Sequence, residues 1–444
     1  MHKTDLLART IALAFLLPAA AHANDSEEIE KLRAEIQQMK QNYETRIKSL
    51  ETRIQQTEAV TGQAEKIAEA VVVQANARPT SGNAFNPDIS LILSGTYANR
   101  LKDSNFHITG FQAGGKIGPG TRGFSLGESE LGVYANVDPH FYGGLNLSLA
   151  PDDSVSVEEA FIQTTSLPYG VTLKGGRFFS SIGYLNDQHA HTWDFIDNPL
   201  AYQAFLGNQF GDDGVQVKWV APTDLFLEFG AEYGRGRIAD TIGRDKNGGG
   251  SGSLFGHIGG DVGVNNSWRA GLSYLQVSPK DRQSNDLDAT GNYVSNNFTG
   301  NSRAWIADFV WKWAPNGNAT NTNFKLQGEY LHRSEDGLLN TDSYSASQSG
   351  LYIQGVYQFM PQWRTGLRYD RLDGGDVNYG LNTTNLMSNG YSPQRFTWML
   401  DYSPSEFSRI RMQVARDESR QEAADSQIFL QYQMSLGAHG AHKY

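Results

Sequence analysis

The chain has 444 residues, a net charge of −11, no cysteine, 47 glycines and 11% aromatic residues, and its mean hydropathy is −0.47. Without cysteine there is no disulfide scaffold, thiolate metal site or cysteine catalysis; the acidity argues against nucleic acid as a partner, and the hydropathy excludes a helical membrane bundle. A transmembrane β-barrel is still open, because strands that alternate apolar and polar side chains are hydrophilic on average.

Residues 1–23 read as a secretory signal, with Lys3 and Arg9 before the apolar run Ile11 to Leu17 and a small-x-small cleavage site at Ala21-His22-Ala23. Residues 24–75 carry a coiled-coil pattern. Ile29, Leu32, Ile36, Met39 and Tyr43 recur in steps of three and four, and Ile47, Leu50 and Ile54 resume the pattern after a stutter. A lone helix cannot bury this seam, so the pattern predicts self-association in the periplasm, with a tether to a periplasmic or cell-wall partner as the alternative use. Residues 76–88, with Pro79, Gly82 and Pro87, form a linker.

From 89 to 444 the period changes to two. Leu225, Leu227, Phe229, Ala231 and Tyr233 share one face of a segment while Glu228 and Glu232 share the other; Trp305, Ala307, Phe309, Trp311 and Trp313 repeat the pattern, as do Phe396, Trp398, Leu400 and Tyr402. Sixteen such segments run from 89–99, 125–138 and 141–150 to 394–403, 406–416 and 427–437. Tight turns such as Asp138-Pro139-His140, Pro222-Thr223, Asn265-Asn266 and Pro361-Gln362 alternate with long polar loops at 100–124, 179–212, 235–252, 279–301, 334–349 and 374–393. Short turns at one rim and long loops at the other mark an outer-membrane barrel. The predicted fold is therefore all-β: a 16-stranded antiparallel transmembrane β-barrel in outer-membrane lipid, preceded by an α-helical coiled coil. A barrel of this size leaves an aqueous channel.

The run Glu158-Glu159-Ala160-Phe161-Ile162-Gln163, followed by Leu173 to Phe179 and Gly183, resembles a segment of the phosphate- and pyrophosphate-selective porins of Gram-negative outer membranes. The resemblance implies a homotrimer of 16-stranded barrels, each with its own pore, and a third external loop folded inward as a constriction. Counting long loops independently selects the same segment, 179–212.

The chemistry of that loop departs from phosphate selectivity. No lysine or arginine lies between Arg177 and Lys218, whereas Asp187, Asp194, Asp197, Asp212 and Asp213 do, with His189 and His191. Residues 81–444 hold 27 Lys/Arg against 37 Asp/Glu. On the strand alternation, Arg364, Arg368, Arg409 and Arg411 point into the lumen, opposed by Glu228, Glu232, Asp308, Glu329 and Asp370, in a solvated and mutually paired arrangement. The expectation is a passive, weakly cation-preferring channel for small hydrophilic solutes or ions, with phosphate or other anion selectivity as an alternative. No cofactor is expected. One metal reading stands beside this: His189 and His191, flanked by Asp187 and Asp194, offer donors suited to zinc and make divalent-metal uptake a further alternative, and His439 and His442 form a second histidine pair. No nucleophile–base motif or phosphate loop marks an enzyme.

Overall fold

The computed structural model describes residues 87–437 except 102–105, 116, 238–246, 289, 385 and 387–389, together with Gln37, Gln38, Lys40, Gln41 and Lys48, which are helical. The signal segment, nearly all of the coiled-coil and linker readings, and the pair His439 and His442 lie outside the described residues. The chain divides into two units, Met1–Ala84 and Phe85–Tyr444, and the second is the barrel.

Among the described residues, eighteen strand segments form one antiparallel sheet. In chain order they are β1 (Asp88–Asn99), β2 (Gly123–Leu126), β3 (Ser129–Asn136), β4 (Phe141–Leu149), β5 (Val155–Thr164), β6 (Val171–Phe179), β7 (Gly211–Val220), β8 (Phe226–Gly234), β9 (Ser251–Val262), β10 (Asn266–Val277), β11 (Arg282–Leu287), β12 (Tyr293–Trp313), β13 (Asn323–Leu339), β14 (Asp342–Met360), β15 (Trp363–Asn378), β16 (Gln394–Ser405), β17 (Ser408–Glu418) and β18 (Asp425–Gly437). β2 and β3 are two halves of one strand, since both pair with β1, and β11 pairs with an extension of β12 above the barrel. Sixteen strands remain, and β1 pairs with β18 from Ser90–Gly437 to Asn99–Ile428, so the barrel is closed.

The alternation read in the sequence sets the two faces. Leu254, Leu272, Trp305, Phe309, Leu367, Phe396 and Leu430 are exposed on the outside, a belt that suits hydrocarbon. Glu228, Asp308, Glu329, Arg368 and Arg411 point inward.

Several segments read as loops are strands. Residues 334–349 are the continuation of β13 and β14 around a turn at Asn340, whose φ is 57°, and 279–301 contains β11 and the first part of β12. These extensions rise beyond the apolar belt, so they need no lipid-facing side chains and carry no apolar period for the sequence to reveal.

Two bulges interrupt the alternation on the strands that flank β4. Gly95 opposes Leu126 but Ile92 opposes Glu130, so the β2–β3 strand holds one residue more than β1 there. On β5, Asn146 opposes Glu159 and Leu147 opposes Val157, leaving Glu158 as the extra residue. A bulge re-aims side chains and shifts the alternation by one. Glu130 and Glu159 are thereby set inward, and Glu158 reaches the same side as its neighbour.

Candidate functional site

Residues 180–210, between β6 and β7, enter the lumen. Their short helix α1 (Leu200–Leu206) is buried along its whole length. Leu200, Tyr202 and Phe205, with Ile182, Leu185 and Trp193, pack on the inward side chains Ile306, Leu331, Tyr352 and Leu372 of the wall. Each apolar side chain of this size contributes about 1.5–3 kcal/mol on full burial, so the loop is held by a core of its own. The first loop joins it: Ile108 and Phe111 are buried in the same cluster, with the Phe111 and Phe205 ring centres 5.8 Å apart. Residues 100–124 are thus only partly the polar loop their composition implies.

Polar anchors fix the loop along its course. The Glu329 carboxylate accepts hydrogen bonds from the Tyr184 and Leu185 amides at 3.1 and 3.0 Å and from the Tyr202 and Tyr352 hydroxyls at 2.9 and 2.6 Å. Gly183 has a φ of +66°, and a Cβ there would collide with a Glu329 oxygen, so glycine is what lets the chain come this close. Glu232 accepts from the Ser181 amide at 3.0 Å.

On β15, β16 and β17 a basic ladder grips the loop. Arg368 Nη2 and Arg395 Nη1 lie 2.9 and 2.7 Å from the two carboxylate oxygens of Asp197, and Gln413 donates to the same side chain at 2.9 Å. Asp194 pairs with Lys325 and, at 3.2 Å, with Arg364. Arg411 donates to Asp401 at 2.7 Å and to the Trp193 carbonyl at 2.9 Å, and Arg409 donates to the His191 carbonyl at 2.8 Å. Burial works against the Asp197 charge, but Arg395 and Arg368 outweigh it and hold its carboxyl at about 2. Asp194 is likewise fully buried, yet Lys325 and Arg364 hold its carboxyl far below the usual carboxylate range.

These contacts correct the picture of a solvated, opposed lumen. Arg368, Arg395 and Arg411 are each 1% exposed, because the loop covers them. Asp370 does not oppose the arginines but sits among them, 3.0 Å from Arg368 and 3.7 Å from Arg395. Lys218 and Arg364, which keep some solvent contact, are paired, with Glu228 at 3.0 Å and Asp401 at 2.6 Å, whereas Arg269 and Arg409 donate to the Gly183 and His191 carbonyls. Asp308 is buried with neither oxygen hydrogen-bonded among the described residues.

Asp212 and Asp213 are not part of the constriction, since both belong to β7. Asp212 accepts from the Gly236 and Arg237 amides at 2.7 and 3.1 Å, while Asp213 shares the face of the outward Val215 and Val217 and takes a two-point contact from Arg177 at 2.6 and 3.1 Å. Asp187 lies near Asp308 and His257.

His189 and His191 do converge, with ring centres 5.8 Å apart and nearly parallel planes. Their carboxylate partners are not Asp187 and Asp194. His189 Nδ1 is 3.4 Å from both Glu130 and Glu158, its Nε2 is 3.0 Å from Glu159, and His191 Nδ1 is 2.9 Å from the other oxygen of Glu130. Asn146 Nδ2 stands 3.1 and 3.2 Å from the two ring nitrogens of His189. Burial opposes an imidazolium at His189, but hydrogen bonds to Glu158 and Glu159 and the charge of Glu130 raise its pKa well above the usual value. The sequence offers these glutamates only as members of strands; the bulges that aim them inward are not visible in it.

No protein-family model matches the chain. The barrel is similar to that of OmpT, an outer membrane protein of Vibrio cholerae (TM-score 0.50, 10% identity, 81% of this chain and 100% of that one), and of OprB of Pseudomonas putida (TM-score 0.50, 14% identity, 79% and 94%). At such identities the likeness is one of fold. A protein of Aquifex aeolicus, described as uncharacterized, is 32% identical over 404 residues, spanning 82% of this chain and 81% of its own. That identity, sustained over most of both chains, makes this protein a member of the same family as the Aquifex aeolicus protein.

Proposed function

We propose that the protein is an outer-membrane porin, a passive channel for small hydrophilic solutes and ions with a weak cation preference, assembled as a homotrimer. The observation that carries the reading is the inward loop 180–210, docked across the lumen of a closed barrel whose outside is apolar. A barrel of sixteen strands without such a loop leaves a wide aqueous passage, and the loop narrows it with a fixed structure. The cation preference follows from the charges: Lys218, Lys325 and Arg364, lumen bases that keep solvent contact, are matched by carboxylates, whereas the Glu130, Glu158 and Glu159 wall has an excess of acid. Residues 24–75 act as an assembly device in the periplasm, with tethering of the envelope as their alternative role.

Phosphate or other anion passage is the second reading, favoured by the ladder Arg364, Arg368, Arg395, Arg409 and Arg411. Against it, Asp194, Asp197, Asp370 and Asp401 neutralise that ladder at close range. Single-channel recording of the purified protein in planar bilayers, with reversal potentials in a KCl gradient, separates the two. A reversal potential on the cation side supports the proposal; an anion-side potential with block by phosphate overturns the selectivity, and absence of conductance overturns the channel.

A further inference from the structure

Three donor atoms around His189 are spaced as a metal centre would need them. A hydrogen bond between imidazole and carboxylate settles near 2.7–2.9 Å when charge assists it. His189 Nδ1 instead stands 3.4 Å from Glu130 and 3.4 Å from Glu158, long for either bond. For a tetrahedral zinc with ligands at about 2.0–2.2 Å, neighbouring ligand atoms are spaced by about 3.4 Å. Nδ1 and the two oxygens all lie within 4.8 Å of one another.

The surrounding side chains add the support that metal centres need. Nε2 of His189 points at Glu159, 3.0 Å away; with the ring proton there, the Nδ1 lone pair would face Glu130, Glu158 and the Asn146 amide, whose Nδ2 is 3.1 Å away and which an incoming ion would displace. A carboxylate on the far nitrogen of a ligating histidine orients the ring and raises its basicity. The second oxygen of Glu130 is fixed by His191 at 2.9 Å. Glu130 is 2% exposed, and the side chains of Glu158 and Glu159 are 15% and 13% exposed, so three carboxylates are gathered out of water with Lys174 as the neighbouring base acting on Glu159. A cation removes the cost of that excess charge. A cavity of about 190 Å³ lies beside the cluster, lined by His191 and Glu128 with Gln431 and Gln433.

We infer that Glu130, Glu158 and His189 bind one divalent transition-metal ion of the zinc class, with Glu159 and His191 as positioning residues. Two ligands belong to the barrel wall and one to the loop, so the ion clasps the loop to β3 and β5. The mixed nitrogen and oxygen donors favour zinc, cobalt or nickel over magnesium or calcium. The inference goes beyond the porin reading and does not depend on it.

The test uses the full-length protein in detergent, stripped with a chelator and titrated with zinc chloride by calorimetry, and with cobalt chloride while the visible spectrum is followed. The expected result is one zinc per chain, cobalt bands of a low-symmetry site, and at least a tenfold loss of affinity in both His189→Ala and Glu158→Gln. His439→Ala/His442→Ala leaves the affinity unchanged. Heat-dependent gel migration confirms the barrel in each variant, and Glu130→Gln, which keeps shape and volume, serves as the second ligand test if His189→Ala does not fold. Absence of stoichiometric binding overturns the inference, as does zinc binding that survives both Glu158→Gln and Glu130→Gln, or equal affinity for calcium. Because conductance is not the readout, a protein that binds zinc but passes no ions upholds this site and overturns only the channel.

Discussion

Asp197→Ala tests how the loop is held. In the native protein the carboxylate meets Arg368 and Arg395 at 2.9 and 2.7 Å, with only 10% of its side chain exposed. Removing one partner of a buried ion pair typically costs about 3–5 kcal/mol, because the charge left behind is unpaired. Here Asp370 and Asp417 remain beside the two guanidiniums, at 3.0 Å from Arg368 and 3.7 Å from Arg395, which places the loss at the lower end, about 3 kcal/mol, or ~10²-fold in the ratio of docked to undocked loop. Acid does the same more gently. The Asp197 carboxyl lies at about 2 against an ordinary 3.8, worth about 2 kcal/mol. A lowered carboxyl stabilises the docked form above its unfolded value, so that contribution is complete above pH 4 and fades as the pH falls towards 2. Hydrogen exchange of peptides covering 193–206 is the assay, with single-channel noise as its functional counterpart. Asp197→Ala should lose about two orders of magnitude of protection there at pH 7 while the strands keep theirs. Native-like protection of 193–206 in this variant refutes the ladder as the loop's anchor.

Other perturbations probe separate contacts. Glu329→Ala leaves four buried donors without their acceptor, at about 1–3 kcal/mol for each left unpaired; chymotrypsin should then cut within 180–210, where the native protein resists. Gly183→Val sets a side chain against Glu329 at a φ of +66° and should increase conductance and its fluctuations, with the change visible in single-channel traces and absent if the loop is not seated there. Phe309→Lys puts a charge on the outer belt, where Phe309 is 44% exposed, and should cost about 2–4 kcal/mol if it lies near the midplane, measured by refolding into lipid vesicles against denaturant.

The barrel was legible because its outer face is chemically monotonous: Trp305, Phe309 and Phe396 announce lipid on every second residue, and glycine and proline mark the turns. The inside is less readable, since its partners come from distant strands. Arg395 and Asp401 escaped notice between the outward residues of β16, although the complementary alternation contains them. Ile306 and Leu331 carried a clearer signal, because an apolar side chain on the inner face of a wet barrel calls for something to cover it. The direction of Glu158 was out of reach, for a bulge depends on the register of two strands, and the pairing of His189 with glutamates instead of Asp187 depends on how the loop turns inside the lumen.

Closure through β1 and β18 gives this architecture an assembly schedule. The two strands that seal the cylinder lie at opposite ends of the described barrel, and ten residue pairs from Ser90–Gly437 to Asn99–Ile428 join them. Contacts so distant along the chain form slowly, since the entropy of the closed loop is lost before they can compensate for it. Until β18 arrives, β1 offers an unpaired edge able to recruit any passing strand. A truncation before β18 therefore leaves that edge unsealed and should yield an adhesive sheet instead of a smaller channel.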